Sequence, residues 1–357
     1  MIDGDARVLA VTRSPVATGV LLGIVAAVAF GATTPIVAWA GRDVGPLATA
    51  ALLYLGAAAT AGLVQRVTSR SEPKVRRADA PRLLAIAIAG AAVAPALLAW
   101  GLQRTGATTG ALLLNLEAVA TVILARLVYR EPIGSRVALA VASMVVGGVT
   151  LAADGAAERF QLLGVLAVAG ATLAWALDNT WSRPLAERDP FQVILVKAVL
   201  GAGLTTAIAQ ARGEPWPGAA HTAALLACGA TGYGASLYLY LLAQRRIGAA
   251  RTGSVFALAP FIGAAIAWSL GDRGAGGFAV VALGLFALGA YLHLTEHHAH
   301  RHVHRPVEHD HAHRHDDQHH SHRHDPPFQG EHAHPHHHEA TEHDHAHAPD
   351  LHHEHSH

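Results

Sequence analysis

The sequence predicts an all-α integral membrane protein: ten transmembrane helices in two inverted five-helix repeats, followed by a disordered tail. Three observations predict it. Hydrophobic residues make up 52% of the 357 and charged ones only 15%. Apolar runs of about 20 residues recur as far as residue 294, the length that spans a bilayer core. Of the 27 histidines, 25 fall in residues 296–357, a segment with too few apolar side chains to bury a core of its own. The organisation that follows is an N-terminus over 1–15, one repeat over 16–153, a second over 161–294 and the tail over 296–357.

The spans read as 16–38, 46–65, 81–102, 107–128, 134–153, 161–182, 190–211, 219–243, 249–270 and 275–294. Charged or turn-forming residues such as Arg42-Asp43, the basic block from Arg66 to Arg77, and Asp272-Arg273 separate them. Pro46, Pro81 and Pro190 stand where the first helical turn tolerates a missing N–H. With the N-terminus inside, 16 Lys and Arg face the cytoplasm and 5 face the opposite side. That asymmetry is a positive-inside signal, and ten spans return the tail to the cytoplasm. The expected location is therefore a cytoplasmic (inner) membrane with both termini inside.

The halves echo each other. Residues 103–116 read QRTGATTGALLLNL and residues 244–259 read QRRIGAARTGSVFALA. Five helices per half is an odd number, so the halves lie in opposite orientation, a plan that puts a substrate path between them near the midplane. Gly106 and Gly110, with small-xxx-small spacing, suit close helix packing.

On these residues, and on VAFGATTPIVAWAG (28–41) and GAARTGSVFALAPFIGA (248–264), the chain resembles the EamA group of the drug/metabolite transporter superfamily. The resemblance implies ten helices in two repeats and secondary transport, usually export, of small solutes. It does not name the cargo. One position departs from the repeat: Glu117 stands where the second half has Pro260.

Charges inside the spans each cost at least ~2.5 kcal/mol near a helix centre, so each needs a partner or a purpose. Asp178 and Lys197 lie equally far from the centre of the loop that joins their helices, which sets them at one depth in an antiparallel hairpin. They read as an ion pair, either structural or gating. Glu117 has no such neighbour and sits near the midplane, where a proton or cation is favoured over a bare carboxylate. It is the candidate coupling carboxylate, with Asn115 beside it and Asn179 beside Asp178 as neutral ligands. A glutamate that merely packs helices is the plain alternative. Pro35, Pro95 and Pro260 interrupt spans and free backbone carbonyls. Trp39, Trp100, Trp175, Trp181 and Trp268 line a cavity or anchor at the interface. Cys228 and His221 carry no expected chemistry.

The tail is patterned. Residues 308–313 read EHDHAH, residues 342–347 repeat it, and 331–336 nearly do. Candidate metal ligands are His300, His302, His304, His309, His311, His313, His320, His322, His324, His343, His345 and His347, because imidazoles at alternate positions suit Ni, Co, Zn or Cu. A pH sensor and a solubilising tail are the other readings. A single cysteine excludes an internal disulfide, and a formal net charge of zero gives no reason to expect nucleic acid. No phosphate-binding loop and no catalytic constellation is present, so neither an enzyme nor an ATP-driven pump is expected.

The functional expectation is proton-coupled export of a small solute by alternating access, with a divalent metal of the Ni or Co type favoured as cargo. An organic metabolite or amino-acid exporter with a metal-sensing tail is the alternative. A membrane-tethered metal buffer is the third. No resident cofactor is required beyond metal ions on the tail, and the expected partners are the bilayer, the solute and, in an assembly, a second copy.

Overall fold

The computed structural model describes residues 15–67, 73–130, 133–155, 159–185, 188–247, 249–272 and 276–295, and four backbone segments of the tail. Among the described residues before the tail, every regular element is helical. The first half holds α1 (Pro15–Gly31), α2 (Thr33–Ala40), α3 (Pro46–Val67), α4 (Ala80–Ile86), α5 (Ala94–Thr105), α6 (Ala107–Leu113), α7 (Leu116–Val128) and α8 (Ser135–Gly155). The second holds α9 (Arg159–Ser182), α10 (Pro190–Ala211), α11 (Ala219–Cys228), α12 (Ser236–Ile247), α13 (Ala249–Phe256), α14 (Ala259–Ser269) and α15 (Gly277–Leu294). Among the described residues nine stretches are long and apolar enough to cross a membrane, and Gly277–His293 is a shorter tenth. This is a multi-pass membrane bundle.

The interruptions are where the halves match most closely. Between α4 and α5 the chain runs as a π-helix over Ala87–Val93, and between α11 and α12 a second runs over Gly229–Ala235, 142 residues later. The span formed by α6 and α7 breaks at Leu114–Asn115, and the span formed by α13 and α14 breaks 143 residues on, at Ala257–Leu258. Each in-span proline stands in the first turn of a resumed helix: Pro35 in α2, Pro95 in α5 and Pro260 in α14. There the ring costs no helical hydrogen bond. A wide π-turn just before Pro95 absorbs the mismatch.

Packing obeys the same two-fold. The α5 end of the third span packs on α9 as α12 packs on α1, while α3 against α10 and α8 against α15 join equivalent helices. Two loop clasps repeat as well. The Gly45 N–H donates to the Pro215 carbonyl (2.9 Å), and at the other end of the bundle the Asp189 N–H donates to the Pro73 carbonyl (2.8 Å). Glu214 Oε2 accepts from the N–H groups of Leu47 (2.9 Å) and Ala48 (3.1 Å), capping α3 from across the molecule. Asp272 caps α6 in the same manner through Ala107 and Thr108. Both carboxylates complement free N–H groups and the positive end of a helix dipole.

One expectation is corrected here. Gly106 is not a helix-packing glycine: it turns the chain between α5 and α6 with φ of 79°, a conformation that only glycine adopts freely. In the described backbone segments of the tail, β1 (Ala299–His304) lies antiparallel to β4 (Thr341–Ala346) and β2 (Val307–His313) to β3 (His332–His338). The reason is periodicity. A strict alternation of histidine with other residues matches the two-residue repeat of a strand, which needs no hydrophobic core to pair its backbone. The tail histidines His320, His322, His324 and His347 lie outside the described residues.

Candidate functional site

The π-helix of the third span aims its Gly90 carbonyl into the bundle, because a π-turn leaves its carbonyls imperfectly paired within the helix. Two aromatic side chains satisfy it: the Tyr54 hydroxyl donates at 2.6 Å and Trp175 Nε1 at 3.0 Å. A methyl group on Gly90 would overlap the Asp178 carboxylate, so the glycine makes the room in which that charge sits. In the other half, Gly232 makes room for Thr33 in the same way. Thr33 and Asp178 are 145 residues apart and occupy one position of the repeat. The fold is symmetric here and the chemistry is not.

Asp178 binds Lys197, as the hairpin arithmetic predicts, and Ser182 Oγ lies 3.3 Å from its other oxygen. The pair is well removed from solvent, with side-chain exposures of 4% for Asp178 and 20% for Lys197. The neighbouring residue of α9 reaches a different helix: Asn179 Nδ2 donates to Glu117 Oε1 at 2.8 Å. Glu117 therefore has a partner that no local spacing could reveal. It lies at the start of α7, directly after the break in its span, and is only half-buried. Asp178 and Asn179 are consecutive residues of α9, which sets the two pairs side by side along the chain as one cluster. Asn115 does not complete that cluster as expected. Its amide donates back to the Leu112 carbonyl (2.9 Å) and closes the helix break.

An aromatic wall stands beside these charges. Tyr233, from the second π-helix, has its ring centroid 5.6 Å from Tyr54, 5.8 Å from Phe30 and 6.4 Å from Trp175. Phe30 and Trp175 occupy equivalent positions of the repeat, and both pack against Tyr233. Neither Tyr54 nor Tyr233 was legible as a site residue, because an aromatic in an apolar run reads as packing. The recurrence of glycines 142 residues apart, at Gly90 and Gly232, is the signal that points to them.

A separate vestibule of about 1110 Å³ opens at the end of the bundle that carries Asp272. Trp39, Arg42, Gln103, Arg104, Gln161 and Asp272 are among its lining residues. Arg104 lies 3.6 Å over the Trp100 ring, which fixes that guanidinium against the rim. Trp181 and Trp268 face outwards with more than a third of their surface exposed, as membrane-facing rings do.

Ten helical stretches in two repeats with matching broken spans, and a polar cluster within them, define a polytopic membrane protein built on an internal two-fold. The chain belongs to the EamA-like transporter family, whose pattern it matches twice, over residues 17–153 and 162–295. It is 29% identical over 210 residues to an uncharacterized transporter of Methanothermobacter thermautotrophicus, a match covering 56% of this chain and 60% of that protein. The match thus spans less than two thirds of that relative's length. A solved crystal structure, described only as that of a protein, shares the fold with a TM-score of 0.56 and 19% identity. That likeness covers 77% of this chain and 95% of the other.

Proposed function

We propose that this protein is a secondary active transporter of a small organic solute, working by alternating access and coupled to protons at Glu117. The carrying observation is the adjacency of Asp178 and Asn179, which tie α10 and α7 to one turn of α9 through Lys197 and Glu117. Protonating Glu117 removes the charge that Asn179 holds and loosens one of the two ties without touching the other. A group whose charge state changes between two access states is what coupling requires. In this reading the protein lies in the cytoplasmic membrane with both ends inside, and the Asp178–Lys197 pair closes the inner path. The vestibule at the Asp272 end is the route to the far side.

The geometry favours an organic cargo over the divalent metal that the tail suggests. Both bundle carboxylates are engaged by nitrogen donors, one of them a lysine ammonium that repels a metal cation. Among the described residues no group of three or more His, Cys, Asp or Glu gathers as a metal site. The test is flux in reconstituted vesicles under an imposed pH gradient, with Glu117→Gln as the comparison. Proton-driven uptake that collapses in the variant supports the reading, and uptake with unchanged rate and pH dependence defeats it.

A second reading, export of Ni or Co, is favoured by the tail. The ribbon registers set His300 opposite His345 and His302 opposite His343, and likewise His309 opposite His336 and His311 opposite His334. Cross-strand partners of a ribbon are neighbours in register, so each ribbon pairs histidine with histidine at two or more positions. We infer that these faces collect Ni, Co, Zn or Cu, as a sensor in the first reading and as a cargo collector in the second. Cells expressing the protein and challenged with each metal decide between them: raised tolerance with lowered cell metal favours export.

A further inference from the structure

We propose that the vestibule at the Asp272 end is a binding site for an organic monocarboxylate, held by Arg42 and Arg104. The site's use rests on the transport reading above, which puts this vestibule on the route of the solute; its binding rests on geometry alone. At about 1110 Å³ the cavity has room for a small organic molecule and its water. Its charged lining residues are Arg42, Asp43, Arg104 and Asp272. Asp272 is engaged within the fold, where its Oδ2 accepts from the N–H groups of Ala107 and Thr108. Among the described residues neither arginine has a carboxylate within ion-pair distance. That leaves one aspartate against two arginines, an excess of one positive charge.

Both arginines are held in place before any ligand arrives. The Arg104 guanidinium lies 3.6 Å over the Trp100 ring, and its Nη1 donates to the Trp100 carbonyl at 2.8 Å. Its other N–H groups remain for a ligand. Arg42 stands in the turn between α2 and α3, which the neighbour of Arg104 pins from both sides. Gln103 Nε2 donates to the Gly41 carbonyl at 2.7 Å and to the Val44 carbonyl at 2.9 Å. Within that turn Asp43 has φ of 58°, a left-handed backbone that aspartate tolerates better than most side chains. A guanidinium on a fixed stem loses less freedom when it takes an anion, and its planar fork matches the two oxygens of a carboxylate. Trp39, Leu102 and Leu270 supply apolar wall for a carbon skeleton. One carboxylate balances the excess charge; Asp43 opposes a second.

Three probes of similar size test it: phenylacetate, phenethylamine and phenylethanol, titrated by calorimetry at pH 7.5 into the full chain in phosphatidylcholine nanodiscs. Phenylacetate should bind at least about tenfold more tightly than the other two. Arg42→Gln and Arg104→Gln should each weaken it about tenfold, and Arg104→Lys, which keeps the charge without the fork, should weaken it less. Gln103→Leu leaves every charge in place but releases the turn, and should weaken phenylacetate several-fold. Asp43→Asn, which suits the same backbone, should tighten it several-fold, a gain that no folding defect produces. Equal affinity for the three probes, or phenylacetate binding unchanged in both arginine-to-glutamine variants, overturns the site. Phenylacetate excluded when part of the lipid is phosphatidylglycerol assigns the arginines to a lipid headgroup and overturns it too. Phenylacetate binding without solute flux in vesicles defeats the transport reading and leaves the site standing. Proton-driven flux of a solute without binding of phenylacetate does the reverse.

Discussion

At the scale of the residue, Gly90 decides more than any charged group. By lacking a side chain it lets Asp178 enter the bundle, and by lying in a π-turn it offers a carbonyl that orients Tyr54 and Trp175. Gly90→Ala should therefore displace Asp178 from Lys197 and lower the thermal midpoint by several degrees, while Gly203→Ala, with open space around it, should be neutral. The buried pair makes a sharper case. Asp178→Asn strands the Lys197 ammonium and should cost about 3–5 kcal/mol, whereas removing both charges together should cost much less. A double-mutant cycle on unfolding in detergent measures the coupling, and additive losses would show that the two groups act separately. For Glu117, replacement by Asp keeps the charge and shortens its reach to Asn179. Partial flux with a displaced pH optimum is expected in vesicles, between the wild type and the inactive Gln variant.

At the scale of the element, the helices are held by caps supplied from the opposite half. Glu214 and Asp272 each serve two N–H groups at the start of a helix 160 or more residues away in sequence. Glu214→Ala should destabilise the bundle by about 1–2 kcal/mol, and Glu214→Gln by less, since the amide oxygen still accepts while the charge on the helix dipole is lost. Asp272→Ala should cost a similar amount and also leave the Thr108 hydroxyl, which donates to the Asp272 carbonyl at 2.8 Å, near a loosened chain end. Thermal unfolding of the purified protein reads both. Equal midpoints for the Ala and Gln variants of Glu214 would mean that the dipole term is negligible at this membrane surface. The span breaks belong to this scale too. Each begins a fresh helix inside the membrane, and Glu117 sits in the first turn after one of them, where the N–H groups of Glu117 and Ala118 bridge the break to the carbonyls of Leu114 and Asn115.

For the whole molecule, the two-fold scaffold and the tail are separable in construction. The described tail strands pair only with one another in the sheets they form, β1 with β4 and β2 with β3. Deleting residues 297–357 should leave the helical content and solute flux near wild type and remove most Ni and Zn binding by the purified protein, as read by calorimetry. Flux lost at every metal concentration would place the tail on the translocation path. Replacing only His343 and His345 tests the ribbon: binding should fall by about half if the two ribbons are independent sites, and hardly at all if the histidines act as an unstructured pool.

The span lengths, the odd number of helices per repeat and the Asp178–Lys197 pairing were all determined by the sequence, because each follows from local hydropathy or from distance to one short loop. The His-x-His alternation of the tail is likewise present in its letters. The partner of Glu117 was decided only by the tertiary structure. Asn179 is 62 residues away, on a helix of the other half, and nothing in the hydropathy of either helix couples them. The aromatic wall was decided there as well. Tyr54, Trp175, Tyr233 and Phe30 come from four different spans, and they meet only because two inverted repeats close on each other with their π-turns facing inward. Periodicity along a chain records which side of a helix is apolar; which helix faces it is fixed by packing, and packing brought four aromatic rings from four spans together.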